Sequence, residues 1–286
     1  MSRRADSPDA STIFTYHDLT PPTTADVYRA RDTLAPYLPE TPLVKSPYLS
    51  QTYDADVYLK REDTLPTGSF KIRGITTLLA GLERSVLDRG VITASTGNYG
   101  RALAQAARWV DTEAVVAVPE GTGQNRIDGI EQLGGRVEIV GDDYDDAAAW
   151  AADRAESEGY RYVHPGNERA VITGTGTAGL EIADARPDVD VVLGPIGAGS
   201  IGAGYGLSVG AVTDATVIGV QAANVDAAYS AWKTGALTPQ AEANTFADGI
   251  AARVPYALPI EVMRDHLDEM YTVSETAIVE TVATVF

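Results

Sequence analysis

The chain has 286 residues, of which 44% are hydrophobic, and it contains no cysteine. This composition is typical of a folded globular protein, and the lack of cysteine excludes disulfides, thiolate catalysis and cysteine-ligated zinc. The 22 basic and 40 acidic residues give a formal net charge of −18, which argues against nucleic acid and anionic membranes as partners.

The predicted elements begin after a polar, Pro- and Thr-rich stretch at 1–25, which we interpret as a tail or as a strap over the surface. A first helix is predicted at 24–38, and short apolar strands then alternate with helical patterns. This alternation indicates βαβ units and a largely parallel sheet. The strands are predicted at 56–60, 91–94, 114–118, 136–140, 160–164, 190–193 and 216–221, and the helices at 69–82, 102–109, 125–133, 145–158, 174–185, 199–208 and 274–286.

Three strand-to-helix turns are rich in glycine, at 67–74, 94–100 and 194–202. Such turns matter because open parallel sheets bind ligands at the carboxyl ends of their strands. The third turn contains a G-x-G-x-x-G match, but the dinucleotide fingerprint needs an acidic residue about 20 positions further on, where Gln221 stands. What the turn retains is a set of backbone N–H groups at a helix start, which suits a phosphate. A tight turn without a ligand is the alternative.

The first turn places Lys71 at the start of a predicted helix, directly after Gly68, Ser69 and Phe70. The helix dipole and the poor solvation of a close-packed turn both lower the pKa of an amine, which helps it to react with an aldehyde. The alternative is a surface lysine on a helix. A buried, activated lysine together with a phosphate-binding turn is what pyridoxal phosphate requires.

The second turn carries a small polar cluster of Ser95, Thr96, Gly97 and Asn98. Its backbone amides and hydroxyls are suited to holding a substrate carboxylate, and Asn98 is suited to the phenolic oxygen of the cofactor. Clusters of this composition are also common in ordinary loops.

Taken together, these blocks resemble the fold-type II pyridoxal-phosphate enzymes, specifically threonine dehydratase and serine racemase. The resemblance extends from Pro39 to Glu275. It rests on the lysine block and the second turn, and on the blocks at 163–165, 174–181, 197–201, 217–220 and 247–251.

The resemblance implies an α/β fold with two open, mostly parallel twisted sheets flanked by helices. Residues 1–84 and 166–286 would form a large cofactor-binding domain, and residues 85–165 a small domain that carries the substrate loop. Relatives continue past the position of Phe286, so we expect a short C-terminus that lacks the stretch contacting the pyridine nitrogen of the cofactor.

The resemblance also implies a role for each site residue. Lys71 would hold the cofactor covalently, Phe70 would line the pocket beside it, and Asn98 would bind the phenolic oxygen. The acidic residue that helps to bind a divalent cation in some relatives corresponds to Gln221, so we predict no metal site. The phosphate would be bound by Gly197, Ala198, Gly199, Ser200 and Ile201, and the substrate carboxylate by Ser95, Thr96, Gly97 and Asn98.

The implied reaction is the α,β-elimination of a small-molecule amino acid, threonine or serine, to a 2-oxo acid and ammonia. Two alternatives stay open. One is threonine synthase, against which Ile72 argues because the synthases usually carry Asp there. The other is a non-catalytic relative, which the interruption of the phosphate loop by Ala198 and Ser200 would fit.

The resemblance further implies a homo-oligomer, a dimer or tetramer, in amino-acid metabolism and isoleucine biosynthesis. We expect a cytoplasmic protein, since the sequence has neither an apolar run of about 20 residues nor the pattern of a signal peptide. The acidic excess suggests a salt-adapted organism, because concentrated salt screens the self-repulsion of such a surface.

Overall fold

The computed structural model describes residues 14–285. The predicted α/β architecture is confirmed, with helices and strands alternating along most of this range. No helix in it is both long and apolar enough to cross a membrane. The helices are α1 (Thr24–Leu34), α2 (Pro47–Tyr53), α3 (Lys71–Ala80), α4 (Arg84–Leu87), α5 (Asn98–Trp109), α6 (Gln124–Glu131), α7 (Tyr144–Glu158), α8 (Arg169–Ala185), α9 (Ser200–Gly206), α10 (Val209–Val212), α11 (Ala227–Thr234), α12 (Ala257–His266) and α13 (Glu275–Val285).

The strands form two parallel sheets and one short antiparallel pair. A four-stranded parallel sheet has the order β5-β4-β3-β6, a three-stranded parallel sheet has the order β7-β8-β9, and β1 pairs with β2. The prediction of two mostly parallel sheets is therefore confirmed. The strands are β1 (Leu43–Lys45), β2 (Tyr58–Lys60), β3 (Val91–Ala94), β4 (Ala114–Val118), β5 (Arg136–Ile139), β6 (Arg161–Tyr162), β7 (Val191–Pro195), β8 (Thr216–Ala222) and β9 (Glu269–Val273).

Sequence analysis missed β9, since the last strand it predicted was the one at 216–221. The strand lies at the edge of its sheet and pairs with β8 alone. Only Met270 within it is fully buried, so its apolar pattern is too weak to be read from the sequence. The pair β1 and β2 was only half predicted, since strands of three residues carry little periodicity.

The four-stranded sheet is covered by helices on both faces. Every residue of β3 and β4 is buried, as expected for central strands of a parallel sheet. Alternate residues divide between two apolar cores, so that Val91 and Val116 pack on the α5 side and Ile92 and Val115 pack on the α7 side. The sheet order fits the predicted small domain at 85–165, although that division of the chain stays a prediction.

The glycine block at 174–181 brings helices together at backbone distance. A Cβ on Gly174 in α8 would lie 2.6 Å from the carbonyl oxygen of Arg73 in α3, and one on Gly176 would lie 2.8 Å from the carbonyl oxygen of Gly204 in α9. Any side chain at these positions would force the helices apart. This block therefore has a packing role beneath the site.

The same block contributes to a buried ion-pair network, which we define as Lys60, Glu62, Arg73 and Glu181. Arg73 is only 2% exposed; its Nε lies 2.7 Å from Oε2 of Glu62 and its Nη2 lies 2.9 Å from Oε2 of Glu181. Lys60 forms an ion pair with Glu181 as well. Burial opposes ionisation of Glu181, but the hydrogen bond and charge of Arg73 outweigh it and hold the pKa of Glu181 below its ordinary value.

The described part of the N-terminal stretch lies against the four-stranded sheet, at β6. Phe14 stacks on Tyr16 with 5.1 Å between ring centroids, and Tyr16 accepts a hydrogen bond from the backbone N–H of Tyr162 at 2.9 Å. His17 lies 3.2 Å from a carboxylate oxygen of Glu168. Residues 14–17 thus match the strap that we considered, and residues 1–13 of the predicted stretch lie outside the described range.

Candidate active site

A cleft of about 740 Å³ opens at the carboxyl edge of the four-stranded sheet. Each strand of this sheet leads into its wall, as expected where the strands of an open parallel sheet end. The segments concerned are Ser95–Asn98 after β3, Asn125 and Arg126 after β4, Asp143–Asp145 after β5, and Pro165 after β6.

The facing wall comes from the part of the chain around the three-stranded sheet. It includes Lys71 at the start of α3 and Gly197 and Ala198 after β7. An irregular segment completes it, with lining residues at 241–243, 248–254 and Tyr256. The cleft thereby unites the three glycine-bearing turns that the sequence singled out.

Lys71 is the first residue of α3, held by a tight turn. Gly68 has a φ of +70° and donates its N–H to the carbonyl of Leu65 at 2.7 Å, a conformation that favours glycine. The Lys71 Nζ lies 4.4 Å from the centroid of the Phe70 ring, and Phe70 itself does not line the cleft. The amine has no acidic ion-pair partner within residues 14–285.

Burial lowers the pKa of Lys71 to about 8. The lowered pKa matches the prediction, and desolvation of the charged form is its cause. The helix dipole, which the sequence argument also invoked, is not needed to explain it. An amine with this pKa is partly neutral near pH 7, which is the state that attacks an aldehyde.

The loop at 95–98 presents polar groups to the cleft from the start of α5. The Ser95 hydroxyl oxygen accepts hydrogen bonds from the N–H groups of Gly97, at 3.2 Å, and Gly100, at 3.0 Å. Ser95 therefore holds the loop in shape and keeps only its own O–H to donate. The side chains of Thr96 and Asn98 line the cleft without a hydrogen-bond partner in the described part of the chain.

The predicted phosphate loop reaches the cleft with two of its five residues, Gly197 and Ala198. Gly199, whose φ is +98°, precedes α9, and the side chain of Ile201 packs in the apolar core. A Cβ on Gly197 would lie 3.0 Å from the Cα of Ile250, so the backbone comes close to the neighbouring segment here. Gly199, Ser200, Ile201 and Phe70 are not among the residues that line the cleft.

The backbone N–H groups of residues 197–201 have no hydrogen-bond acceptor within residues 14–285. Consecutive free amides at the start of a helix suit an anion with several oxygens. Together with the partly neutral amine of Lys71 on the same wall of the cleft, they fit the phosphate and the aldehyde of pyridoxal phosphate. Within the described range, no three acidic, histidine or cysteine side chains are grouped as metal ligands.

Sequence analysis missed the charged residues of the cleft. Arg126 forms an ion pair with Asp248, and Arg253 forms one with Asp145. Arg101 lines the cleft as well. A usable signal existed, because the turns after β4 and β5 obey the same strand-end rule as the three glycine turns. They also contain glycine, at Gly121, Gly123 and Gly141, but the sequence analysis did not single them out.

Tyr144, the first residue of α7, also lines this space. Burial raises the pKa of Tyr144 to about 12. The phenol therefore stays protonated at physiological pH and can act as a hydrogen-bond donor.

Comparison with known proteins gives the same picture. An L-threonine ammonia-lyase of Thermotoga maritima is 34% identical over 91% of this chain and 65% of its own length. A catabolic L-threonine dehydratase of Staphylococcus aureus is 33% identical over 88% of this chain and 74% of its own length. This chain thus spans slightly less than two thirds of the Thermotoga relative.

Solved structures show the same fold. The processed form of threonine deaminase isoform 2 from Solanum lycopersicum superposes with a TM-score of 0.86 at 28% identity, covering 94% of this chain and 80% of that one. Maize serine racemase superposes with a TM-score of 0.88 at 25% identity, covering 92% and 80%. The sequence pattern of the pyridoxal-phosphate dependent enzymes matches residues 34–286. With the amine, the amide loop and this match in agreement, the chain belongs to the pyridoxal-phosphate-dependent enzyme family.

Proposed function

We propose that this chain is a threonine/serine-type ammonia-lyase, which converts a small β-hydroxy amino acid into a 2-oxo acid and ammonia. The observation that carries this proposal is the amine of Lys71, with a pKa of about 8 and no acidic partner within residues 14–285, in a cleft lined by two polar loops. The names of the Thermotoga and Staphylococcus relatives support the same reaction.

The cofactor would be held from three directions. Lys71 would bond to its aldehyde, Asn98 would bind its phenolic oxygen, and the amides of 197–201 would bind its phosphate, with Phe70 packed beside the lysine. When bound, pyridoxal phosphate supplies an electron sink for the negative charge that develops at the substrate Cα.

The chain's own residues would then act on the substrate. The loop of Ser95, Thr96, Gly97 and Asn98 orients the substrate carboxylate, since the backbone N–H groups of Thr96 and Asn98 and the Ser95 O–H remain as hydrogen-bond donors. The Lys71 amine accepts the Cα proton, which its lowered pKa permits near neutral pH. The β-hydroxyl takes up one proton and departs as water, and one water is then consumed in the hydrolysis that yields the 2-oxo acid and ammonia.

The decisive experiment replaces Lys71. We expect Lys71→Ala to lose the absorbance of the bound cofactor and to lower ammonia release from L-threonine and L-serine by about 10³-fold or more, because one group both holds the cofactor and moves the proton. Borohydride reduction followed by peptide mapping should label Lys71 in the wild type.

Lys45→Ala is the matched control, since Lys45 is a surface lysine whose side chain is 48% exposed and pairs with Asp56. Ammonia release that survives in Lys71→Ala, or a label on another lysine, would refute the assignment. Phosphate release from phosphohomoserine, measured in parallel, would instead identify a threonine synthase.

The wider setting belongs to the same proposal. A place in isoleucine biosynthesis would follow from a preference for threonine. We further propose a cytoplasmic homo-oligomer, and a salt-adapted source on the basis of the net charge of −18. Light scattering tests the assembly, and a melting temperature that does not rise between millimolar and molar KCl would contradict the salt adaptation.

A further inference from the structure

Among the described residues that line the cleft, one arginine side chain has no ion-pair partner. Arg126 and Arg253 line the cleft in ion pairs with Asp248 and Asp145. Arg101 lines it too, but its side chain forms no ion pair or hydrogen bond with any residue in the range 14–285. Its Nε is buried without a partner, which is costly for a charged group unless a ligand supplies the acceptor.

The backbone aims this guanidinium at the site. Arg101 lies three residues after Asn98 on α5, so the two side chains share one helix face and both line the cleft. The stem of Arg101 rests against α6, where a Cβ on Gly129 would lie 3.6 Å from its Nε. The neighbouring helix therefore limits where the arginine can move.

The charge of Arg101 identifies the chemistry of its ligand. Guanidinium groups bind carboxylates through paired hydrogen bonds, and the loop at 95–98 is already suited to the α-carboxylate of an amino acid. We propose that Arg101 binds a second carboxylate on the substrate side chain, and that the preferred substrate is an acidic β-hydroxy amino acid of the 3-hydroxyaspartate type. This inference rests on the proposed ammonia-lyase function.

The reaction balances without another reactant. In 3-hydroxyaspartate, the β-carbon carries the hydroxyl leaving group and a carboxylate where threonine carries a methyl group. The Cα–H and Cβ–O bonds break, a Cα–Cβ double bond forms, and water leaves. One water is taken up again during hydrolysis, so the substrate equals oxaloacetate plus ammonia.

Arg101→Gln tests the proposal, because glutamine keeps polarity but removes the charge. We expect the wild type to have a kcat/KM for 3-hydroxyaspartate at least about tenfold above that for L-serine. In Arg101→Gln, the kcat/KM for 3-hydroxyaspartate should fall on the order of 100-fold, because a charged pair loses one partner. The kcat/KM for serine should change by no more than about threefold.

Arg108→Gln is the control, since Arg108 is exposed on the same helix outside the cleft. Serine preferred by the wild type, or equal losses for both substrates in Arg101→Gln, would overturn the inference. If no amino acid releases ammonia, the proposed function has failed, and calorimetric titration with L-aspartate and L-alanine still decides the role of Arg101. A wild-type preference for aspartate that Arg101→Gln abolishes supports it, and equal binding by both proteins rejects it.

Discussion

The first turn of α3 places one cationic side chain in the cleft and another in the buried ion-pair network, and the surroundings of the two side chains differ. Lys71 and Arg73 are two residues apart at the start of α3. Arg73 has carboxylate oxygens of Glu62 and Glu181 around its guanidinium. Lys71 has an aromatic ring and the wall of a cleft around its amine, with no carboxylate from the described residues.

The difference shows how surroundings separate a structural charge from a reactive one. Both side chains are desolvated, which disfavours the charged form in each case. Carboxylates reverse that effect for Arg73, and its pKa is raised. Nothing reverses it for Lys71, whose pKa falls to about 8. Burial with partners stabilises a fold, whereas burial without them prepares an amine for chemistry.

The largest expected effect, and the strongest test of this difference between Lys71 and Arg73, comes from replacing Arg73. Arg73→Met should destabilise the cofactor-free protein by about 3–5 kcal/mol, because it leaves Glu62 and Glu181 buried with a single lysine as cation. Urea unfolding followed by circular dichroism gives the difference. Lys71→Met, measured in the same way, should cost less than about 1 kcal/mol. Equal stabilities of the two variants would contradict the division.

A milder change tests the carboxylate side of the network. Glu181→Gln keeps one acceptor oxygen but loses the charge that faces Arg73 and Lys60, so we expect a loss of about 1–3 kcal/mol. Because the pKa of Glu181 is lowered in the folded protein, its contribution is present above the ordinary glutamate pKa of about 4.3. It disappears as the pH falls through the lower, folded-state value.

The difference between wild type and Glu181→Gln should therefore shrink in acid. Urea midpoints collected from pH 7 downwards measure it, and Glu131→Gln serves as the control because Glu131 is exposed and forms no ion pair within residues 14–285. A difference that stays constant with pH would show that the charge of Glu181 contributes nothing.

The smallest predicted effect concerns the reactivity of the Lys71 amine in the cleft. If only the neutral amine of Lys71 reacts, the rate at which the cofactor-free protein takes up pyridoxal phosphate should rise about tenfold per pH unit in acid. It should level off above the pKa of about 8. Stopped-flow absorbance records the rate, and a blocked lysine in solution, with a pKa of about 10.4, is the reference. A rate that keeps rising to pH 10 would place Lys71 in an exposed setting.

Local sequence was enough to single out residues that the structure brings together in one cleft. Lys71, Asn98 and Gly197 each follow a strand or a tight turn and begin or precede a helix. That arrangement depends on neighbours along the chain, on glycine at positive φ and on helix starts, so a linear pattern can report it. The roles of these residues stay predictions, while the cleft that gathers them is an observation.

Sequence by itself thus determined the α/β class and most strands, because periodicity and turn chemistry are local properties. The resemblance of its sequence blocks indicated the family and singled out Lys71. Only the tertiary structure decided that Lys71 has no acidic partner within residues 14–285 while Arg73 is paired with carboxylates, that the side chain of Ile201 packs in the core, and that Arg101 lines the cleft. Partners such as Glu181 lie more than 100 positions from Arg73 in the sequence. Such an ion pair forms only when helices that are distant in the sequence pack together, so no local sequence pattern can predict it.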